Sequence, residues 1–259
     1  MNSKIHPTAI VDPKAEIDSS VKIGAYSIIE AGVCIDAGST VGSHVVLQGP
    51  TTIGKNNQIF QYASLGAAPQ DKKYAGEPTS LEIGDNNTIR EFCTFNRGTS
   101  QDKGVTKIGN NNWVMAYVHI AHDCHIGNNT ILANNSSLAG HVEMHDYAIL
   151  GGFTLIHQFC KIGAHVITAV GSVIFKDIPP YVTAAGYDAK PHGINVEGLK
   201  RRGFSPESIM QIKRAYKALY RNGLSLDEAK REIILMQANC PEIAILSEFL
   251  GLASRGIIR

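Results

Sequence analysis

At 259 residues the chain can hold one large domain or two modest ones with ample core. Its 24 Lys and Arg against 23 Asp and Glu leave a formal net charge of +1, which excludes a general nucleic-acid binder because that needs a broad basic excess. No apolar run approaches the ~20 residues of a membrane span, the opening MNSKIHPTAIVDP lacks the apolar core of a signal peptide, and five cysteines without a CxxC pair are no disulfide framework; a soluble cytoplasmic protein with no membrane span is expected.

From Val11 onward an aliphatic residue falls on every sixth position, through Ile17, Ile23, Ile29, Ile35, Val41, Leu47, Ile53, Ile59 and Leu65. Neither an α-helix nor an alternating strand has that period, whereas a parallel β-helix of hexapeptide repeats, one short strand and a corner per repeat, does. Two positions before the aliphatics the residues are small or β-branched, with Asn57 the exception, which fills a narrow prism. Cys93, Cys124 and Cys160 occupy that slot further on and are expected to be reduced, packed thiols. Gly24, Gly42, Gly54, Gly66, Gly84, Gly109, Gly127 and Gly163 follow the aliphatic directly, where a corner tolerating positive φ is expected.

The register halts after Leu65, returns at Ile83, Ile89 and Phe95, halts again, and resumes one residue out of phase at Ile108. The two interruptions, residues 66–80 and 96–106, are polar and glycine-bearing and read as loops leaving the prism, where binding groups tend to sit. From Ile108 the repeat runs to Ile162 and weakens at Thr168; seven of the ten histidines lie between 119 and 165, off the buried column. Past Tyr181 the pattern changes. Ser205-Pro206 opens a helix that Asn222-Gly223 stops, Ser225 to Glu228 is a capping box for a second, and Pro241 opens a third. A mainly β chain is therefore expected, with a β-helix domain over 1–186 and a small C-terminal α-helical domain over 187–259.

With three faces per coil, 18 residues return to the same face, and coils stack about 4.8 Å apart. Eighteen beyond His122 lies Gly140 and then Gln158; eighteen beyond Asp123 lies His141. An imidazole at such an edge is suited to general-base work near neutral pH. A glycine one coil on can offer its N–H to a developing oxyanion. Clustered imidazoles also suit a catalytic zinc, which needs three His and an open position.

The stretch HIAHDCHIGNNTILANNSSLAGHVEMHDYAILGGFTLIHQFCKIGAHV, with QDKKYAGEPT before it and GINVEGLKRRGFS after, resembles the UDP-N-acetylglucosamine O-acyltransferases that begin lipid A synthesis. The resemblance covers nearly the whole chain. It implies a left-handed β-helix, an exception to the usual crossover hand, assembled as a homotrimer with sites between subunits. It implies that His122 is the base deprotonating the sugar 3-hydroxyl, which attacks the (3-hydroxy)acyl thioester of an acyl carrier protein. Asp123 would support the base, although the 18-residue stacking sets Asp123 nearest His141, and Gly140 would supply the oxyanion N–H. Gln70, Asp71, Lys73, His119, His141 and Gln158, with His157 alongside, match acceptor contacts. Asn195, Glu197, Arg201 and Arg202 match positions around the nucleotide and phosphates. Asn96 stands where relatives commonly carry His, so a contact there must be a neutral hydrogen bond. Val170 stands where long-chain members carry glycine, which makes it the expected acyl-chain ruler. The resemblance implies no metal and no cofactor beyond the acyl carrier protein thioester. Three alternatives remain: the later N-acyltransferase of the same pathway, which carries an extra domain before its repeats; a zinc hydratase on the same prism; and an inert structural solenoid.

Overall fold

The computed structural model describes residues 4–238, 240–253 and 255–259. The hexad register forms a left-handed parallel β-helix, in which Trp113–Val114, His119–Ile120 and His125–Ile126 take the three sides of one coil in turn. Each pairs in parallel with the strand eighteen residues on: Trp113 with Ile131, His119 with Ser137, His125 with Glu143. Among the described residues, the Trp113, His119 and His125 faces hold ten, nine and eight strands. In a two-residue strand one side chain points in and the next points out, so the aliphatics Leu65, Ile120, Leu132 and Leu138 form a fully buried column.

The small slots behave as expected at the cysteines. Cys93, Cys124 and Cys160 are free and buried, and burial pushes each thiol up to about 12, so they pack as inert residues. Polar residues inside the prism are hydrogen-bonded, as burial requires. The Asn87 amide donates to Asn57 Oδ1 at 3.0 Å, and the backbone N–H groups of Asn112 and Thr130 donate to Asn87 Oδ1 and Asn112 Oδ1 of the preceding coil. Thr168, where the register weakens, sits in the interior with its hydroxyl 2.8 Å from that of Thr154.

The corner glycines have a different cause from the one expected. Of the eight, only Gly66 has positive φ (82°); left-handed residues lie instead three after many of the aliphatics, at Tyr26, His44, Asn56 and onward, and include Asp123 (φ 60°) and His141 (φ 62°). The glycines lie where one coil touches the next. A Cβ on Gly24 would meet the Gly42 carbonyl carbon and the Ser43 nitrogen, both at 2.7 Å. Because those atoms are backbone and cannot swing away, Gly24→Ala is expected to destabilise the protein by about 1–3 kcal/mol, measured as a lower denaturant midpoint at unchanged slope.

Ile53 pairs with Ile83 and Ile83 with Ile108, thirty and twenty-five residues apart instead of eighteen, so each polar interruption leaves the prism between coils. The second insertion absorbs the one-residue change of phase. At the far end Val182–Ala185 joins the Trp113 face and Lys190–Ile194 pairs antiparallel to it, so position 186 falls in the connection between them. Four helices follow: α1 Val196–Arg201, α2 Pro206–Tyr220, α3 Leu226–Gln237 and, after a 3₁₀ turn at Pro241–Ile243, α4 Ala244–Leu252. Ser205 caps α2, and Ser225 with Glu228 forms the capping box of α3. Helix α1 was not legible in hydrophobic periodicity, being only six residues long; Asn195 caps it. The helices share a core of Leu199, Ile212, Leu219, Ile233 and Leu246, joined to the last coil through Tyr181.

Candidate active site

The chain leaves the His119 face at Ala121 and turns a corner on the left-handed Asp123 before starting the His125 face. That turn buries the Asp123 carboxylate and leaves His122 partly open. Asp123 Oδ2 lies 2.8 Å from His122 Nδ1. The same carboxylate accepts the Thr99 N–H at 2.8 Å and the Thr99 hydroxyl at 2.7 Å, and the Asp123 N–H donates to Thr106 Oγ1 at 2.8 Å. Burial alone would raise the Asp123 carboxyl, but the hydrogen bonds from His122 and Thr99, with the nearby His141, hold it below its ordinary range. An ionised carboxylate accepting at Nδ1 leaves the lone pair on Nε2, the arrangement a general base needs.

The geometry corrects the stacking estimate for Asp123. His141 Nε2 is 3.8 Å from Asp123 Oδ2, a full ångström farther than His122 Nδ1, and His141 Nδ1 instead lies 2.9 Å from Asp102 Oδ2. The His122 side chain bends toward its sequence neighbour, a choice that coil spacing does not determine.

Gly140 sits one coil on, against the His122 ring. A Cβ there would come within 2.6 Å of His122 Cε1 and 2.8 Å of Nε2. Among the described residues its N–H meets no acceptor, while its carbonyl accepts from Phe159. His122, Gly140, His141 and Gln158 line a cleft of about 580 Å³. Across it stand Gln70, Asp71 and Lys73 from the first insertion and Asn96 at the start of the second. Asn96 is buried, and its amide donates to the Ala68 carbonyl at 3.0 Å, tying the two insertions together.

Other expected site residues lie elsewhere. His119 is farther along its face, 2.7 Å from the Thr94 hydroxyl, and burial lowers its pKa. His157 is outside the cleft lining, with its ring 6.0 Å from Phe175. Asn195 and Arg202 belong to a different edge: the Asn195 amide donates to the His165 carbonyl at 3.0 Å, and Arg202 donates to the Tyr147 carbonyl at 3.1 Å. Glu197 and Arg201 are exposed on α1 nearby. A single chain therefore does not bring the two groups together. On that second edge Arg202 Nη1 and His165 Nδ1 are buried without a partner, and burial, with the Arg202 charge, pushes His165 down to about 4. Val170 is 74% exposed, so its side chain projects off the prism and does not pack in the coil.

Four residues that sequence reasoning missed bear on the cleft: Lys72 and Gln101 line it, Thr99 holds Asp123, and Asp102 holds His141. The only signal for them was their place in the polar insertions. As a metal set, the cluster His122, Asp123 and His141, with ligating atoms within 4.8 Å of one another, offers two imidazoles and not the three that the zinc reading required.

Residues 177–258 match the family model described as UDP N-acetylglucosamine O-acyltransferase, domain 2, and residues 106–140 match that of the bacterial transferase hexapeptide. The chain is 62% identical over 261 residues to an acyl-(acyl-carrier-protein)–UDP-N-acetylglucosamine O-acyltransferase of Janthinobacterium sp. (strain Marseille), covering 99% of this chain and 100% of the relative. A protein of the same description from Thiobacillus denitrificans is 63% identical over 255 residues, covering 98% and 99%. The solved UDP-N-acetylglucosamine O-acyltransferase of Moraxella catarrhalis superposes with a TM-score of 0.97 at 46% identity, over 99% of this chain and 100% of that one.

Proposed function

The chain belongs to the family of acyl-(acyl-carrier-protein)–UDP-N-acetylglucosamine O-acyltransferases, and we propose that it moves a 3-hydroxyacyl group from acyl carrier protein to the sugar 3-hydroxyl with His122 as general base. The reaction is the first step of lipid A biosynthesis. The observation that carries the role of His122 is its pairing with a buried, hydrogen-bonded Asp123 directly against a side-chain-free Gly140. His122 Nε2 takes the hydroxyl proton as the sugar oxygen bonds to the thioester carbon. The carbonyl oxygen becomes an oxyanion that accepts the Gly140 N–H. Collapse breaks the carbon–sulfur bond, and the departing thiolate takes the proton from the His122 imidazolium, which Asp123 has stabilised meanwhile. Base and oxyanion donor both come from the chain, so this step calls for no metal or other cofactor.

Gln70, Asp71, Lys73, Asn96, His119, His141 and Gln158 are assigned to the acceptor, and Asn195, Glu197, Arg201 and Arg202 to its nucleotide and phosphates. Guanidinium groups suit a pyrophosphate. These sets lie on different edges, which a homotrimer reconciles. Exposed Ile10, Ile28 and Leu155 lie on the His119 face and Trp113 on its own face. The edge between those faces carries a ladder of stacked rings, Tyr26, His44, Tyr62, Phe92 and Tyr117, at 4.8–5.2 Å. The His125 face instead carries ion pairs, Lys107 with Glu82 and Lys161 with Glu143. Large exposed apolar patches mark interfaces, so the aromatic edge is turned to a threefold axis and the His119 face of one subunit meets the Trp113 face of the next. The outer rims of those faces are the His122 edge and the Arg202 edge, which then face each other across the boundary. Sedimentation equilibrium is expected to give a trimer; an active monomer would overturn the arrangement. The same reading keeps the protein in the cytoplasm; among the described residues no helix is long and apolar enough to cross a membrane.

Acyl transfer from a panel of acyl carrier proteins to UDP-N-acetylglucosamine tests the activity, and a panel with no acylated sugar would refute it. The panel also tests Val170. A hydrophobic groove gains about 0.8 kcal/mol per buried methylene, whereas overfilling costs about 1–3 kcal/mol. With the end of the acyl tail assigned to Val170, its branched side chain therefore favours a donor about two to four carbons shorter than glycine would allow. Val170→Gly is expected to move the preference toward longer donors, and an identical profile in both proteins would remove Val170 from the ruler.

A further inference from the structure

The mechanism leaves one carboxylate–imidazole contact in the cleft without a role. Asp102, in the second insertion, has Oδ2 2.9 Å from His141 Nδ1. The His141 side chain is 14% exposed; its ring stacks on Phe159 with centroids 4.3 Å apart and meets His122 edge-on at 5.1 Å. Two rings and a carboxylate thus fix its orientation, and its Nε2 lies on the side of Asp123, 3.8 Å from Oδ2. That oxygen is the one already engaged with His122 Nδ1. A proton on His141 Nε2 would make His141 a competing donor to it. A proton on Nδ1 gives that hydrogen to Asp102 and leaves Nε2 as an acceptor on a ring that lines the cleft. The tautomer of an imidazole is set by the hydrogen bond made at its other nitrogen.

We propose that Asp102 is a positioning residue for the acyl-transfer reaction: it accepts the His141 Nδ1–H, holds that tautomer, and so presents His141 Nε2 as an acceptor for a hydroxyl or amide N–H of the acceptor sugar. The second insertion then serves both imidazoles of the site, His122 indirectly through Thr99 and Asp123, and His141 directly through Asp102. The inference rests on the reading of the cleft as the acceptor site, and its first test is independent of activity.

That test is a long-range proton–nitrogen correlation spectrum of the full-length protein labelled with ¹⁵N-histidine, with His141 identified by the signal lost in His141→Gln. The Nδ1–H form is expected in the wild type and in Asp102→Asn, whose side-chain carbonyl still accepts the proton; Asp102→Ala is expected to revert to Nε2–H. Losing one such hydrogen bond should raise the KM for UDP-N-acetylglucosamine about tenfold in Asp102→Ala. The KM for acyl carrier protein should hold, and Asp102→Asn should recover most of the acceptor affinity. An Nε2–H tautomer in the wild type would overturn the proposal, as would an Asp102→Ala protein unchanged in both tautomer and acceptor KM. Absence of acyl transfer in the wild type with the Nδ1–H tautomer present would instead sink the acceptor-site reading alone.

Discussion

His122→Ala is expected to lower turnover by about 10²–10⁴-fold, the usual cost of removing a general base, while the fold and its melting temperature hold. The imidazole stands at an edge of the prism, partly open, and the buried aliphatic column beneath it is untouched by the change. Asp123 would lose one hydrogen bond but keep both from Thr99, so its charge stays satisfied. The loss should appear in kcat and not in the acceptor KM, because the proton moves only in the transition state. His157→Ala serves as the comparison: it lies outside the cleft lining and carries no proton in the mechanism, so its effect should be much smaller. A His122→Ala protein within tenfold of the wild type would remove His122 from the role of base.

Gly140→Ala is expected to lower kcat by about 10²-fold, the order of loss from misplacing a reacting group by roughly an ångström. The added methyl would sit 2.6 Å from His122 Cε1, so the ring has to move. A side-chain tip can swing where backbone cannot. The structural cost should therefore be small, in contrast to Gly24→Ala, whose methyl meets only backbone. The Gly140 N–H survives the substitution, so the loss reports the position of His122 and not the oxyanion donor. On a His122→Ala background the clash disappears, and adding Gly140→Ala should then change kcat little, a non-additivity that residues acting as one unit show. Full additivity of the two losses would show that Gly140 acts without His122.

The hexad, the two insertions, the packed cysteines and the three longer helices were legible in the sequence because each depends on residues a few positions apart. A strand of two residues alternates in and out, a cap reaches three residues along, and a coil closes after eighteen. Those rules also place His122, Gly140, His141 and Gln158 in one neighbourhood. They misassigned the reason for the corner glycines, since the pressure on Gly24 comes from Gly42 and Ser43 in another coil and not from its own φ.

Only the tertiary structure decided which carboxylate serves which imidazole. The 18-residue rule fixes where a Cα lies but not how a side chain rotates, and Asp123 turns to His122 while His141 turns to Asp102. Thr99 and Asp102 reach the site from an insertion whose path no periodicity describes, because a polar loop is placed by its contacts and not by a buried repeat. The separation of Arg202 from His122 onto different edges also emerged only once the corners were in place. What the sequence by itself determined is the prism and the list of groups along it; which of them face one another was decided by side-chain rotation and loop contacts, and those are set by atoms far apart in the chain.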